Sequence, residues 1–184
     1  RNGVAACTKH FLGYGGGGDS ETKELMEEIL MPHEAIIRTQ HTKALMPGYH
    51  NFRDAKCIAN KSLLQGILRD YLQFDGVVVS DYGAIEQVND SLSDIQRAAA
   101  AINAGCDMDF PEGVSFKNLP EAIAQGLVDD ETIEKAVKRV LSLKADLGLL
   151  DPQPVLYANG HIEFDTPEER QTAYLLASQS VVML

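Results

Sequence analysis

Positive charge is scarce in this 184-residue chain. Only 16 Lys and Arg stand against 27 Asp and Glu, a formal net charge of −11. Phosphate backbones and anionic lipid headgroups repel such a field, so neither nucleic acid nor an acidic membrane surface is expected as a partner. Long apolar runs are missing as well. Runs such as Gly76–Val79 after Phe74 have the length of a strand, against the roughly 20 apolar residues of a spanning helix. Cysteine is sparse: Cys7, Cys57 and Cys106 are odd in number and without C-x-x-C spacing, which excludes a disulfide framework and a zinc knuckle and leaves buried free thiols as the expectation. The five histidines (His10, His33, His41, His50 and His161) are too dispersed for a metal site, and no metal is expected. Ser80 lacks the G-x-S-x-G elbow of a serine hydrolase, and there is no Walker sequence. No secretory leader is visible, so the sequence leaves localisation open. The abrupt start at Arg1-Asn2-Gly3 and the stop in Val181-Val182-Met183-Leu184 read as cuts in a longer chain.

What is present is a 45% hydrophobic chain, enough for one sizeable core. Short apolar runs alternate with segments of helical period. Strands are expected at Val4–Phe11, Lys43–Tyr49, Val77–Val79 and Cys106–Phe110. A helix opening at Asp19 or Ser20 carries Leu25, Ile29 and Leu30, is disturbed by Pro32, and continues its apolar face at Ile36-Ile37. A second is expected over Lys61–Tyr71, capped by Asn60, with Leu63, Leu64, Ile67, Leu68 and Tyr71 on one face. Ser91 and Asp94 pattern as a capping box before an alanine-rich helix that ends at Gly105. Helices near Leu119–Gly126 and Glu131–Leu147 follow. Strand then helix, four times over, is the pattern of a parallel α/β fold. Four such units make half of a (β/α)₈ barrel, although an open doubly wound sheet has the same periodicity. Residues 151–165, with two prolines and little apolar period, read as an interdomain linker. Thr166 then opens a helix with Glu168 and Glu169 in its first turn, and a strand is expected over Ser180–Leu184.

In parallel α/β folds, ligands bind at the carboxyl ends of the strands. That rule selects Lys9-His10, Met46 to His50, Ser80-Asp81-Tyr82 and Asp107 to Asp109. Asp81 ends an apolar strand at a rim, where an ionised carboxylate can attack an electrophilic carbon; a strand-ending Asp can equally cap the following helix. Lys9 and His10 suit a polyol, while a lone His10 also suits a structural role. Gly13, Gly15 and Gly18 match G-x-G-x-x-G between a strand and a helix, which raises a dinucleotide-binding domain as an alternative. The acidic partner of that fingerprint belongs at the end of the next strand, whereas Glu34 falls within the helical segment.

Several segments resemble glycoside hydrolase family 3. Thr8-Lys9-His10-Phe11-Leu12-Gly13-Tyr14-Gly15 is similar to the family's AKHF-GYG segment, and Leu45-Met46-Pro47-Gly48-Tyr49-His50 to its VM-SYN segment. Leu63 to Asp81 resembles the stretch that ends in the family's Ser-Asp-Trp/Tyr nucleophile motif, Ala104-Gly105-Cys106-Asp107-Met108 its AGxDM strand, and Gly126 to Asp151 its closing barrel helix. Ala177 to Leu184 is similar to the entry into its second domain. The resemblance implies an α/β chain divided into the second half (strands 5–8) of a (β/α)₈ TIM-type barrel over 1–150, a linker over 151–165, and the beginning of an α/β-sandwich domain over 166–184. It implies a retaining, exo-acting β-glycosidase, a β-glucosidase foremost, with a carbohydrate substrate and no cofactor. Asp81 would be the nucleophile. Lys9 and His10 would bind sugar hydroxyls, Met46 and Tyr49 would line the innermost subsite, and Tyr82 would take the aromatic place after the nucleophile. The family's acid/base glutamate usually comes from a later domain, and further subsite Asp and Arg residues come from the first half of the barrel. The isolated chain is therefore expected to be inactive, with open sheet edges that invite self-association. In one branch of the family the loop after Gly13 carries an Asp-Ser-His whose His is the acid/base. Here Asp19-Ser20-Glu21 stands in that place, so Glu21 is either a loop glutamate or a substitute acid/base. A non-catalytic sugar-binding module is the remaining alternative.

Overall fold

Val77-Val78-Val79 is apolar throughout and fully covered, as a parallel strand between two packed layers must be. In the computed structural model, which describes residues 4–13, 24–40, 42–151 and 165–182, it is one of three strands of a parallel sheet. β1 spans Cys7–Phe11 and β2 spans Ala44–Pro47. After a two-stranded hairpin of β3 (Asn51–Phe52) and β4 (Ala55–Lys56), β5 spans Val77–Val78. The sheet order is β1-β2-β5, every neighbour parallel, with Thr8 beside Leu45 and Leu45 beside Val78. The strands thus follow one another in sequence order without the reversal that makes a switch point in doubly wound sheets.

The fourth expected strand is reduced to one parallel bridge, Val79 to Met108. The cause is chemical. The Val78 N–H, which a continuing ladder would use, donates instead to Asp107 Oδ2 at 2.8 Å, while Asp107 N–H and Met108 N–H both donate to the Val78 carbonyl. A carboxylate that captures a backbone donor interrupts regular pairing.

Helices cover the sheet. A wide turn at Leu25–Ile29 leads into α1 (Leu30–Gln40). Pro32 is the third residue of α1, in its first turn, and the helix continues through it to Gln40. The helix expected over 61–71 is present at Ser62–Tyr71 but wound wider than an α-helix, with the Leu72 N–H reaching back to the Ile67 carbonyl. Tyr71, expected on its apolar face, stands exposed. Asn60 does cap it: its Oδ1 accepts from the Leu63 N–H at 3.0 Å, and its Nδ2 donates to the Phe52 carbonyl at 2.7 Å. α2 (Asp94–Ala104), α3 (Leu119–Ala124) and α4 (Asp130–Asp146) complete this unit. Val78 packs with Phe11, Leu45, Leu63 and Leu64, whereas Val77 and Val79 join Met46, Val140 and Leu143, the two-faced alternation of a covered strand.

The capping box of α2 lies two residues beyond the expected position. Ser93 Oγ accepts from the Gln96 N–H at 3.3 Å, and Gln96 Oε1 accepts from the Ser93 N–H at 3.0 Å. Ser91 is occupied otherwise, donating from both its N–H and its hydroxyl to Asn89 Oδ1. Gly105 closes the helix at φ 117, and a Cβ there would sit 2.6 Å from Gln65 Nε2. Replacing Ser93 with Ala is expected to lower stability by about 1 kcal/mol, with Ser93→Gly costing only a few tenths; urea titration of both variants checks the order. Of the cysteines, Cys57 and Cys106 are buried and free as expected, but Cys7 is exposed, because it begins β1 where the alternation turns its side chain outward.

The chain divides into two compact units, Arg1–Asp151 and Pro152–Leu184. In the second, α5 (Pro167–Gln179) is capped as expected: Thr166 Oγ1 accepts from the Glu169 N–H at 3.2 Å, and Glu169 Oε2 accepts from the Thr166 N–H. The strand expected over 180–184 does not form within the described residues. Ser180 closes α5 through the Leu176 carbonyl, and 181–182 belong to no regular element.

Candidate functional site

The carboxyl ends of β1, β2 and β5 bring the selected residues together. Ser80, directly after the apolar run, is fully buried and pinned. Its N–H donates to the Met108 carbonyl at 2.8 Å, its hydroxyl donates to Asp109 Oδ1 at 3.3 Å, and Oγ accepts from the Phe110 N–H at 2.8 Å. Asp109 is held in turn by two amides, the Ser115 N–H at 2.7 Å and the Phe116 N–H at 3.1 Å, both onto Oδ2. The residue that follows Ser80 therefore leaves a fixed point.

That residue is Asp81. Its Oδ1 accepts from the Tyr82 N–H at 2.8 Å, and its Oδ2 lies 3.3 Å from His10 Nε2. The two side chains are 15% and 25% exposed respectively: open enough for a small ligand, covered enough to keep water from fully solvating the carboxylate. Asp81 is not the side-chain cap of a following helix, since the chain continues in turns from Asp81 to Leu92 and α2 is capped by Ser93. His10 reaches this position from β1, two strands away, where cis peptide bonds precede it and follow Phe11.

Tyr49 and Tyr82 are linked, the Tyr49 hydroxyl donating to the Tyr82 carbonyl at 2.6 Å. The Tyr82 ring is 60% exposed. Met46, next to the end of β2, is among the buried residues and pairs in register with Lys9. Lys9 is exposed, and its side chain makes no hydrogen bond or ion pair among the described residues. Glu21, with Asp19, Ser20 and the glycines Gly15 and Gly18, lies outside the described residues.

Asp107 does not face the rim. Its side chain is 1% exposed and sits between two guanidinium groups, Arg69 Nη2 at 2.9 Å on Oδ2 and Arg139 Nη1 at 2.8 Å on Oδ1. Burial pushes the carboxyl up and lowers Arg69 to about 10, with the opposite charges of the cluster pulling each back toward its ionised form. Among the described residues three donors and no acceptor face Asp107, an environment that favours the carboxylate. Of the Asp107 to Asp109 stretch selected from the sequence, one carboxylate braces the fold and the other anchors the loop after it.

Sequence reasoning missed one support, Lys56, and left a second, His50, without an assigned contact. Lys56, at the end of the hairpin, donates to the Tyr49 carbonyl at 2.9 Å. His50 Nε2 is 2.7 Å from the Leu12 carbonyl, with Cys57 Sγ 3.5 Å away. Burial lifts the Cys57 thiol to about 11, so it is a neutral packing group and not a nucleophile. No periodicity marks these residues, because each acts through a backbone carbonyl outside its own element, that of Tyr49 for Lys56 and that of Leu12 for His50.

Comparison with known proteins bears on the family of the chain. The glycosyl hydrolase family 3 N terminal domain matches residues 1–143. A beta-xylosidase of Formosa agariphila is 34% identical over 202 residues, covering 100% of this chain and 28% of that protein. A probable exo-1,4-beta-xylosidase of Aspergillus clavatus is 33% identical over 204 residues, covering 98% of this chain and 26% of the other. The crystal structure of a beta-glucosidase from Listeria innocua superposes with a TM-score of 0.86 at 30% identity, over 98% of this chain and 27% of that one. The chain thus spans little more than a quarter of the length of these relatives. On the extent of the family match, and on relatives so similar over nearly its whole length, the chain belongs to glycosyl hydrolase family 3.

Proposed function

We propose that this chain carries the nucleophile side of a retaining, exo-acting β-glycosidase that removes glucose or xylose from β-linked glycosides. The observation that carries the reading is the Asp81–His10 pair at the strand ends, with Asp81 Oδ1 held by the Tyr82 amide and Oδ2 beside the imidazole. An oriented carboxylate at the edge of an apolar wall is the group such chemistry needs. Asp81 attacks the anomeric carbon and forms a glycosyl ester as the bond to the leaving oxygen breaks. A second carboxyl group, about 5–5.5 Å away in retaining enzymes, gives that oxygen its proton and later takes one from the water that cleaves the ester. Lys9 and His10 hold hydroxyls of the bound sugar, Met46 and Tyr49 line its pocket, and Tyr82 offers an aromatic face to the leaving group.

Sequence-ordered parallel strands support a barrel, with residues 1–150 as its strands 5–8, 151–165 as a linker and 166–184 as the start of an α/β-sandwich domain. Glucose and xylose share the configuration of their ring hydroxyls and differ by the hydroxymethyl group. Named relatives act on both: the similar sequences include xylosidases, and the Listeria innocua β-glucosidase was solved with glucose and with laminaribiose.

The test is covalent trapping. A full-length protein containing this chain, incubated with activated 2-deoxy-2-fluoro-β-glucosides and -xylosides, is expected to accumulate a stable adduct that peptide mass spectrometry places on Asp81. The sugar that traps faster names the specificity. Turnover without an adduct, or an adduct on another carboxylate, removes Asp81 from the nucleophile's role.

A further inference from the structure

A groove of about 280 Å³ opens where the Ser62–Tyr71 helix, the end of α2 and the first half of α4 meet. No residue of the candidate sugar site lines it. Lys61, Lys135 and Arg139 do, together with Gln65, Asn103 and Asp107. The chain as a whole has 16 Lys and Arg against 27 Asp and Glu, so three cations to one carboxylate around a single groove is a local reversal of charge. Helical spacing accounts for the convergence. Lys61 and Gln65 are four residues apart, as are Lys135 and Arg139, so each pair shares one face.

The one carboxylate is already matched. Asp107 is bound by Arg69 at 2.9 Å and by Arg139 at 2.8 Å, so it opposes an anionic occupant only weakly. Arg139 uses Nη1 for that bond, and its Nε and Nη2 make no hydrogen bond among the described residues. The Lys61 ammonium has no hydrogen bond or ion pair among them. Lys135 is paired with Glu131 at 2.8 Å, but both side chains are more than half exposed, and a pair so solvated holds weakly. The amides complete the lining. Gln65 Nε2 donates to the Ala104 carbonyl at 3.4 Å and Asn103 Nδ2 to the Leu127 carbonyl at 2.8 Å, while their amide oxygens accept nothing among the described residues.

We infer that this groove binds a phosphate group, as the free ion or on a small phosphorylated sugar. Donors and acceptors together decide the class. Two ammonium groups and the unused edge of a guanidinium serve the charged oxygens. The two amide oxygens call for a donor, which the hydroxyl of a protonated phosphate or of a sugar provides and sulfate does not. The size agrees, since the groove falls just below the roughly 300–1,000 Å³ of sites for larger ligands. A polyanion such as nucleic acid meets the acidic surface around the groove, whereas a single small anion meets only the local field. An occupant held by Lys61 and Lys135 bridges the Ser62–Tyr71 helix to α4, so binding stabilises the folded unit by mass action. The inference is independent of the β-glycosidase reading.

The test is calorimetric titration of the full-length protein with inorganic phosphate, sulfate and glucose 6-phosphate at constant ionic strength. Phosphate is expected to bind about tenfold more tightly than sulfate and to raise the unfolding midpoint as its concentration rises. Lys61→Ala and Lys135→Ala are each expected to weaken phosphate binding about tenfold, and Lys61→Arg to retain it. Both lysines are exposed, so the variants are expected to keep the unaltered protein's unfolding midpoint in the absence of phosphate and its rate on an aryl β-glycoside. Tighter binding of glucose 6-phosphate than of phosphate assigns the site to a phosphorylated sugar, and equal or weaker binding assigns it to the free ion. Absence of binding, an affinity unchanged in both alanine variants, or sulfate binding as tight as phosphate overturns the inference. Competition between phosphate and the aryl glycoside also overturns it, since the ion would then lie at the strand-end rim.

Discussion

Asp81→Asn in the full-length protein is expected to lower kcat on aryl β-glycosides by about 10⁴-fold or more, the scale seen when a covalent nucleophile is removed. The substitution preserves shape: the amide oxygen can still accept the Tyr82 N–H, which holds Oδ1 at 2.8 Å, and the amide nitrogen takes the place of Oδ2 beside His10. Sugar binding is therefore expected to survive, so that KM moves by less than tenfold while kcat collapses. A structural role for Asp81 gives the opposite split, with lost protein stability and residual kcat in whatever remains folded. The sharper control is Asp81→Gly, which opens space for a small anion. Added azide can then attack the anomeric carbon from the face the carboxylate used, and formation of an α-glycosyl azide is the expected result. A variant that retains ordinary kcat sinks the assignment.

Three of the expected strands were legible because a covered parallel strand leaves a run such as Val77-Val78-Val79, and the helices because apolar residues recur along one face, as Leu63, Leu64 and Leu68 do. Asp81 was legible for a related reason: a charged residue that ends an apolar strand has a rim to stand on. What escaped the sequence was governed by side chains that bind backbone far away. Asp107 reads as one more rim carboxylate until its captured Val78 amide and its two arginines are seen. The hairpin of β3 and β4 is two residues a side, too short for periodicity to register. The α2 cap slipped from Ser91 to Ser93 because both serines offer a hydroxyl, and Asn89 claims the first. Hydrophobic periodicity cannot rank such competitors, since it does not register which polar side chain holds which serine.

Asp107 carries the largest expected effect on stability. Its side chain is 1% exposed, Arg69's is 8% and Arg139's is 25%. Asp107→Asn keeps the volume but removes the charge and turns an N–H toward one of three donors, leaving the Arg69 guanidinium buried without its counter-ion. Breaking a buried pair in this way costs about 3–5 kcal/mol, a large part of a typical domain's 5–15 kcal/mol. Arg69 cannot escape the penalty by swinging outward, because its Nη1 is bound to the Phe74 and Gly76 carbonyls and its guanidinium lies over the Phe74 ring. Arg139→Ala is the graded comparison. That residue reaches solvent, and Asp107 keeps the Arg69 and Val78 donors, so a loss of about 1–2 kcal/mol is expected. Urea unfolding of the two variants, with the m-value unchanged, measures the order. Equal losses for both would mean that the exposed arginine, and not the buried one, holds the carboxylate in place. A loss below about 1 kcal/mol for Asp107→Asn would show that the triad can be neutralised without leaving a stranded charge.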